Sequence, residues 1–112
     1  MERSNESRDS ILEDIKSQAA AERVRVTQHA AERMARERID LDEILEAIRN
    51  AELLEHYPEH RRGPCCLLHG RTNLGRHLHI VCTTTQPVLV LITVYEPKLA
   101  KWITSKLRRG KT

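Results

Sequence analysis

The chain contains no phenylalanine, one tryptophan and two tyrosines, an aromatic content of 3%. So few flat rings disfavour the base-stacking sheets of RRM or OB type. Glycine is scarce as well: its four copies are scattered, and none belongs to a glycine-rich loop able to cradle nucleotide phosphates. A kinase or nucleotide-driven motor is therefore disfavoured. The three cysteines, Cys65, Cys66 and Cys82, are odd in number and include no Cys-x-x-Cys pair. That spacing disfavours a zinc site and a disulfide framework, and reduced, buried thiols are expected. No serine or cysteine sits in a nucleophile-elbow pattern. No apolar run approaches the roughly 20 residues that span a bilayer. Met1 to Asp9 lacks the apolar stretch of a signal peptide. A cytoplasmic protein is the expectation.

What is present is the composition of a globular domain. The 112 residues are 39% hydrophobic and 31% charged, enough for one domain with a core of its own. The net charge of +3 permits a nucleic-acid partner without requiring one. Arg61, Arg62, Arg71 and Arg76 fall in two predicted turns, and Lys106, Arg108, Arg109 and Lys111 crowd the C-terminus. Such clusters could grip phosphates, although a solvated surface looks the same.

Ser10 and Glu13 form a Ser-x-x-Glu capping box, which predicts a first helix bearing Ile11, Leu12, Ile15 and Ala19 on one face. Residues 1–9 ahead of it have nothing to bury and are read as a disordered lead-in to a single domain over 10–112. Val24 to Thr27 reads as a short strand, with Thr27 capping a second helix from Gln28 to about Arg38. Asp40 and Glu43 open a third helix with the stripe Leu41, Ile44, Leu45 and Ile48. The pattern then changes. Leu53–Tyr57, Cys65–His69, Leu78–Thr83 and Val88–Tyr95 read as strands whose short links favour an antiparallel meander. Val88–Tyr95 is apolar nearly throughout and reads as a central strand. Pro97 suits the first turn of a closing helix bearing Leu99, Trp102, Ile103 and Leu107. The sum is an α+β domain: N-terminal helices on an antiparallel sheet of about four strands, then a C-terminal helix.

Three features could carry chemistry. On a helix His29 and Arg33 share a face, pairing a group that titrates near neutral pH with a fixed phosphate ligand. Spacing alone favours the plainer reading, a polar helix face with a surface histidine. In Gly75–Val81, strand alternation puts His77 and His79 on one face, with Leu78, Ile80 and Cys82 on the other. A metal there would need a third ligand such as His69 or Glu55, and solvent-facing histidines are the commoner explanation. At Tyr95-Glu96-Pro97 a tyrosine could close a cleft and donate a proton; otherwise it packs while Glu96 caps the closing helix. Histidine, arginine, tyrosine and glutamate together suit phosphodiester cleavage without a metal.

The stretches His29–Ile39, Leu41–Ile48, Glu55–Pro58, Gly70–Thr72, Arg76–Val81 and Ile92–Pro97 resemble, in order and spacing, a bacterial domain-of-unknown-function family. That family is grouped with the barnase, EndoU, colicin and RelE-like nuclease superfamily. Some members look like the toxin of a toxin–antitoxin pair beside an MqsA-like zinc-finger antitoxin. The resemblance covers roughly Val24 to Leu107 and implies a RelE-like α+β fold. It implies His29, Arg33 and His79 as the polar positions of a site, with Arg71 and Tyr95 as weaker carry-overs.

The leading expectation is thus an endoribonuclease that needs no metal or other cofactor, a toxin acting on RNA such as mRNA on the ribosome. The alternative is a non-catalytic interaction domain on the same scaffold. A third reading is a small metal protein using His77, His79 and a cysteine. Oligomeric state is left open by the sequence.

Overall fold

The computed structural model describes residues 2–61, 63–84 and 87–98, with residues 2–7 described by their backbone alone. Three helices precede the main sheet: α1 Glu2–Ala20, α2 Gln28–Glu37 and α3 Leu41–Arg49. The strands are β1 Val24–Val26, β2 Glu52–Tyr57, β3 Cys65–Arg71, β4 His77–Thr83 and β5 Leu89–Tyr95. They form one sheet in the order β1-β5-β4-β3-β2. β2 to β5 are an antiparallel meander, and β1 adds to β5 in parallel. The architecture is α+β, with five strands rather than about four because Val24–Val26 joins the sheet.

Helix α1 begins at Glu2, well upstream of Ser10, so Ser10 lies inside it and does not cap it. The other two helix starts are as expected. The Thr27 hydroxyl accepts from the Ala30 amide at 3.1 Å. Asp40 accepts from the Glu43 amide at 2.8 Å, while the Glu43 carboxylate accepts from the Asp40 amide at 3.0 Å. The closing helix expected from Pro97 to Leu107 falls almost wholly outside the described residues. No helix among those described is long and apolar enough to cross a membrane.

Strand alternation decides which side chains meet the helices. Cys66 and Leu68 of β3, Leu78, Ile80 and Cys82 of β4, and Leu89, Leu91 and Val94 of β5 are fully buried. They pack with Ile15 and Ala19 of α1 and Ile44, Ala47 and Ile48 of α3 in one core. Val88–Tyr95 was expected to be central, and its strand does lie inside the sheet, flanked by β1 and β4. Cys66 and Cys82 face each other across β3 and β4, and Cys65 points to the opposite face. All three thiols are free and buried. The neighbouring Cys66, and then burial, push the Cys82 thiol well above its ordinary value. Burial first, and then Cys66, raise Cys65.

Helix α2 lies along the part of β5 that β1 leaves uncovered. The Thr27 hydroxyl donates to the carbonyls of Leu91 and Ile92 at 2.9 and 3.2 Å, ending β1 against β5. Ala30 and Met34 then face the core. His29, Arg33 and Glu37, four residues apart, meet Thr93, Tyr95 and the Glu96 amide in turn.

Arg76 belongs to the scaffold rather than to a phosphate grip. Its guanidinium donates to the carbonyls of Glu37 and Arg38, at 2.5 and 2.8 Å, and to the carboxylates of Glu43 and Glu96. Arg38 has φ 55°, the left-handed turn that ends α2. A cation on those last carbonyls counters the helix dipole and ties the α2–α3 turn to β4 and β5.

Gly70 sits where α3 crosses β3. A Cβ there would collide with the backbone carbonyl of Ala47. That close approach requires glycine, since backbone yields less than a side chain. Gly70→Ala should therefore cost roughly 1–3 kcal/mol or more. Urea denaturation would show this as a lower midpoint, and an unchanged midpoint would contradict the packing.

Candidate active site on the polar sheet face

The second sheet face is built by the residues that alternate with the core. Four of them align across four strands. Glu52 pairs with His69, His69 with His79, and His79 with Tyr95. Neighbouring strands lie about 4.8 Å apart, so residues in register on one face are in side-chain contact. Arg33 of α2 extends the row, its guanidinium 5.7 Å from the Tyr95 ring centroid. The result is a line of carboxylate, two imidazoles, phenol and guanidinium.

The contacts along the line are close. His69 Nδ1 lies 3.3 Å from Glu52 Oε1. The His69 and His79 rings meet edge to face with centroids 5.6 Å apart. His79 Nδ1 is 3.2 Å from the Tyr95 hydroxyl. Arg33 also holds Glu37 at 2.6 Å. Both row histidines are buried, His69 8% and His79 7% exposed, which corrects the solvent-facing reading of His79. A buried imidazole needs polar partners, and both nitrogens of His69 and Nδ1 of His79 have them on this face.

His77 stands one row along, opposite Arg71. Its Nδ1 is 2.9 Å from His69 Nε2, so it joins the row through His69. Arg71 is exposed at the strand end. The Asn50 carboxamide takes the place of a missing strand partner there, accepting from the Arg71 amide at 2.9 Å and donating to its carbonyl at 2.7 Å. Arg71, Glu52, His69, Thr72 and Asn73 line an open recess of about 570 Å³. On the other side His29 contacts the Thr93 hydroxyl at 3.1 Å and lines a second recess with His60, Arg61 and Ile92.

The expected site residues therefore divide. Arg33, Tyr95 and His79 are brought into direct succession. Arg71 lies beside His69 and His77 at the recess. His29 is one same-face step away from Tyr95, held by Thr93 rather than by His79. Glu52, His69 and His77 lie outside the site expected from sequence, in which His69 and His77 figure only as candidate metal ligands. His69 carried a signal, its place at the end of an otherwise apolar predicted strand, but its partner depended on register.

Among the described residues no group of three or more His, Cys, Asp or Glu is arranged to hold a metal ion. Cys66 and Cys82 lie on the face opposite His77 and His79, so neither can complete a site with them.

The family model described as a domain of unknown function, DUF4258, matches residues 26–96. The chain belongs to the DUF4258 family. No curated protein and no solved structure matches it. The DUF4258 segment runs from the end of β1 to the residue after β5, and so contains Glu52, His69, His77, His79, Tyr95, Arg33 and Arg71.

Both tyrosines of this DUF4258 chain border the polar face, and both keep their protons to high pH. Burial, then hydrogen bonding to Glu55, pushes Tyr57 up to about 12. Burial is also the first cause at Tyr95, where Glu55 and Glu37 raise the value further and Arg33 opposes them. Tyr95 is thus a neutral phenol at ordinary pH, able to donate to His79. Raised values in the folded state mean that this contribution to stability is whole below about 10, the value of an unfolded tyrosine, and is lost as pH rises through the folded values. Tyrosinate absorbance should therefore appear late in the folded protein, with a step near 12 that Tyr57→Phe removes. In urea both residues should titrate near 10, and folded-state titration at that value would refute the assignment.

Proposed function

We propose that the polar sheet face is the active site of a ribonuclease that cleaves RNA without a metal. The observation that carries this reading is the unbroken contact His69–His79–Tyr95–Arg33. Two imidazoles and a phenol in contact beside a fixed cation support a proton-transfer site. Cleavage of this kind needs a base to take the proton of the ribose 2′-hydroxyl as O2′ attacks phosphorus. It needs an acid to protonate O5′ as the P–O5′ bond breaks, and donors for the charge on the phosphate oxygens. The products are a 2′,3′-cyclic phosphate and a 5′-hydroxyl.

In this reading His79 and the neutral Tyr95 hydroxyl, 3.2 Å apart, act as one proton-transfer unit, with the hydroxyl meeting the RNA because His79 Nε2 is buried. Arg33 and Arg71 hold phosphate oxygens at the two ends of the face. The Arg33 side chain is 29% exposed and pairs with Glu37 through Nη2, and the exposed part of its guanidinium is the donor edge for a phosphate oxygen. His29, beside Thr93 of β5, extends the proposed RNA path past Tyr95. A toxin role and an antitoxin partner would be the biological setting of the same chemistry.

The purified full chain should cut a labelled RNA in the presence of a chelator. It should leave 2′,3′-cyclic ends and spare the 2′-deoxy strand. His79→Ala should slow cleavage by about 10²–10⁴-fold, the usual contribution of a positioned acid or base. Folded protein that leaves RNA intact would refute the reading and favour a non-catalytic interaction domain.

A further inference from the structure

The reaction above requires two proton-transfer groups, and His79 supplies only one. A second histidine on the same face is oriented by a chain of its own. Glu52 Oε1 lies 3.3 Å from His69 Nδ1, and His69 Nε2 lies 2.9 Å from His77 Nδ1. The two rings are nearly parallel, 8° between planes with centroids 5.1 Å apart. The His69 side chain is 9% exposed and that of Glu52 is 52% exposed, so the chain runs from the recess edge inward to His69.

Hydrogen-bond chemistry gives this chain a direction. An ionised carboxylate can only accept, so His69 Nδ1 carries the proton in the contact with Glu52. A neutral imidazole has one N–H, which leaves His69 Nε2 as an acceptor. The proton in the second contact therefore sits on His77 Nδ1. His77 Nε2 is then the basic nitrogen. One carboxylate thus determines the tautomer of a histidine two contacts away, as metal-site and triad carboxylates do one contact away.

We propose that Glu52, His69 and His77 form a proton relay that presents His77 Nε2 as the base for the ribose 2′-hydroxyl. This rests on the ribonuclease reading. The proton of O2′ passes to His77 Nε2 as the O2′–P bond forms; the Tyr95 hydroxyl delivers its proton to O5′ as the P–O5′ bond breaks and takes one from protonated His79 Nδ1. The positive charge gained by His77 is shared through His69 toward Glu52, whose carboxylate stabilises it. Arg71, directly opposite His77 in the ladder, meets the phosphate next to that base. Glu52 and His69 are positioning residues, acting on RNA only through His77. The substrate class follows from the chemistry: a polynucleotide with a 2′-hydroxyl beside the scissile phosphate, since the base has no proton to remove from DNA.

The test has two arms on the full-length chain. Long-range ¹H–¹⁵N correlation of the imidazoles, at a pH where they are neutral, reads each tautomer directly and does not depend on activity. His69 and His77 should both be in the Nδ1–H form, and Glu52→Ala should return His77 toward the Nε2–H form that free histidine favours. Wild-type His77 as Nε2–H, or a His77 signal indifferent to Glu52→Ala, would overturn the relay.

The second arm measures cleavage of the labelled RNA. Glu52→Ala should lower kcat by about 10- to 100-fold, below the full contribution of a base because Glu52 is half-exposed, with little change in KM. RNA cut by wild type and equally well by Glu52→Ala overturns the relay while the ribonuclease stands. RNA left intact, with both tautomers as expected, overturns the substrate assignment while the hydrogen-bonded chain stands.

Discussion

Register between antiparallel strands is the constraint on which the rest of this protein depends. Glu52, His69, His79 and Tyr95 come from four strands spread between positions 52 and 95, and they form a row because each ladder pairs them directly. A slip of one residue in any ladder would exchange polar and apolar faces along a whole strand, burying a histidine in the core and exposing a leucine. The apolar face opposes any such slip. Leu68, Leu78, Ile80 and Val94 must meet α1 and α3, and that burial aligns the polar side chains on the reverse face. Packing on one side thus organises chemistry on the other.

The helices hold the two ends of that arrangement. α3 approaches β3 at Gly70, closely enough that its Ala47 carbonyl leaves no room for a side chain. At the other end α2 continues the sheet edge after β1 stops, and its four-residue spacing lays His29, Arg33 and Glu37 against Thr93, Tyr95 and Glu96. Arg76 then secures the turn that follows α2 by binding its terminal carbonyls. The polar row is therefore bounded by backbone contacts rather than by flexible side chains alone, which is the kind of support that positions proton-transfer groups.

Burial gives the row its character. His69 and His79 are nearly excluded from water, and such imidazoles are held by neighbours rather than by solvent. Tyr95 is kept neutral chiefly by burial, and Arg33 brings a permanent charge to its ring. Electrostatic interactions are stronger in such surroundings than at a wet surface. The same groups spaced along an exposed helix would be an ordinary polar face.

Much of the local structure was legible in the sequence because its causes are local. Thr27 and the Asp40/Glu43 pair cap the helices they were expected to cap, since a cap needs only the three residues that follow it. Period-two alternation correctly put His77 and His79 opposite Leu78, Ile80 and Cys82. Ser10 misled because the same four-residue pattern is compatible with a helix interior, and α1 continues upstream to Glu2. The turn arginines misled in part, because Arg76 is drawn inward by carbonyls that sequence does not reveal. What only the tertiary structure decided is which residues meet: Glu52 and His69 entering the row, His29 turning to Thr93, and Cys66 facing Cys82 across the ladder. Those outcomes depend on strand pairing and on where α2 crosses β5, and both are set by contacts between residues far apart in the chain.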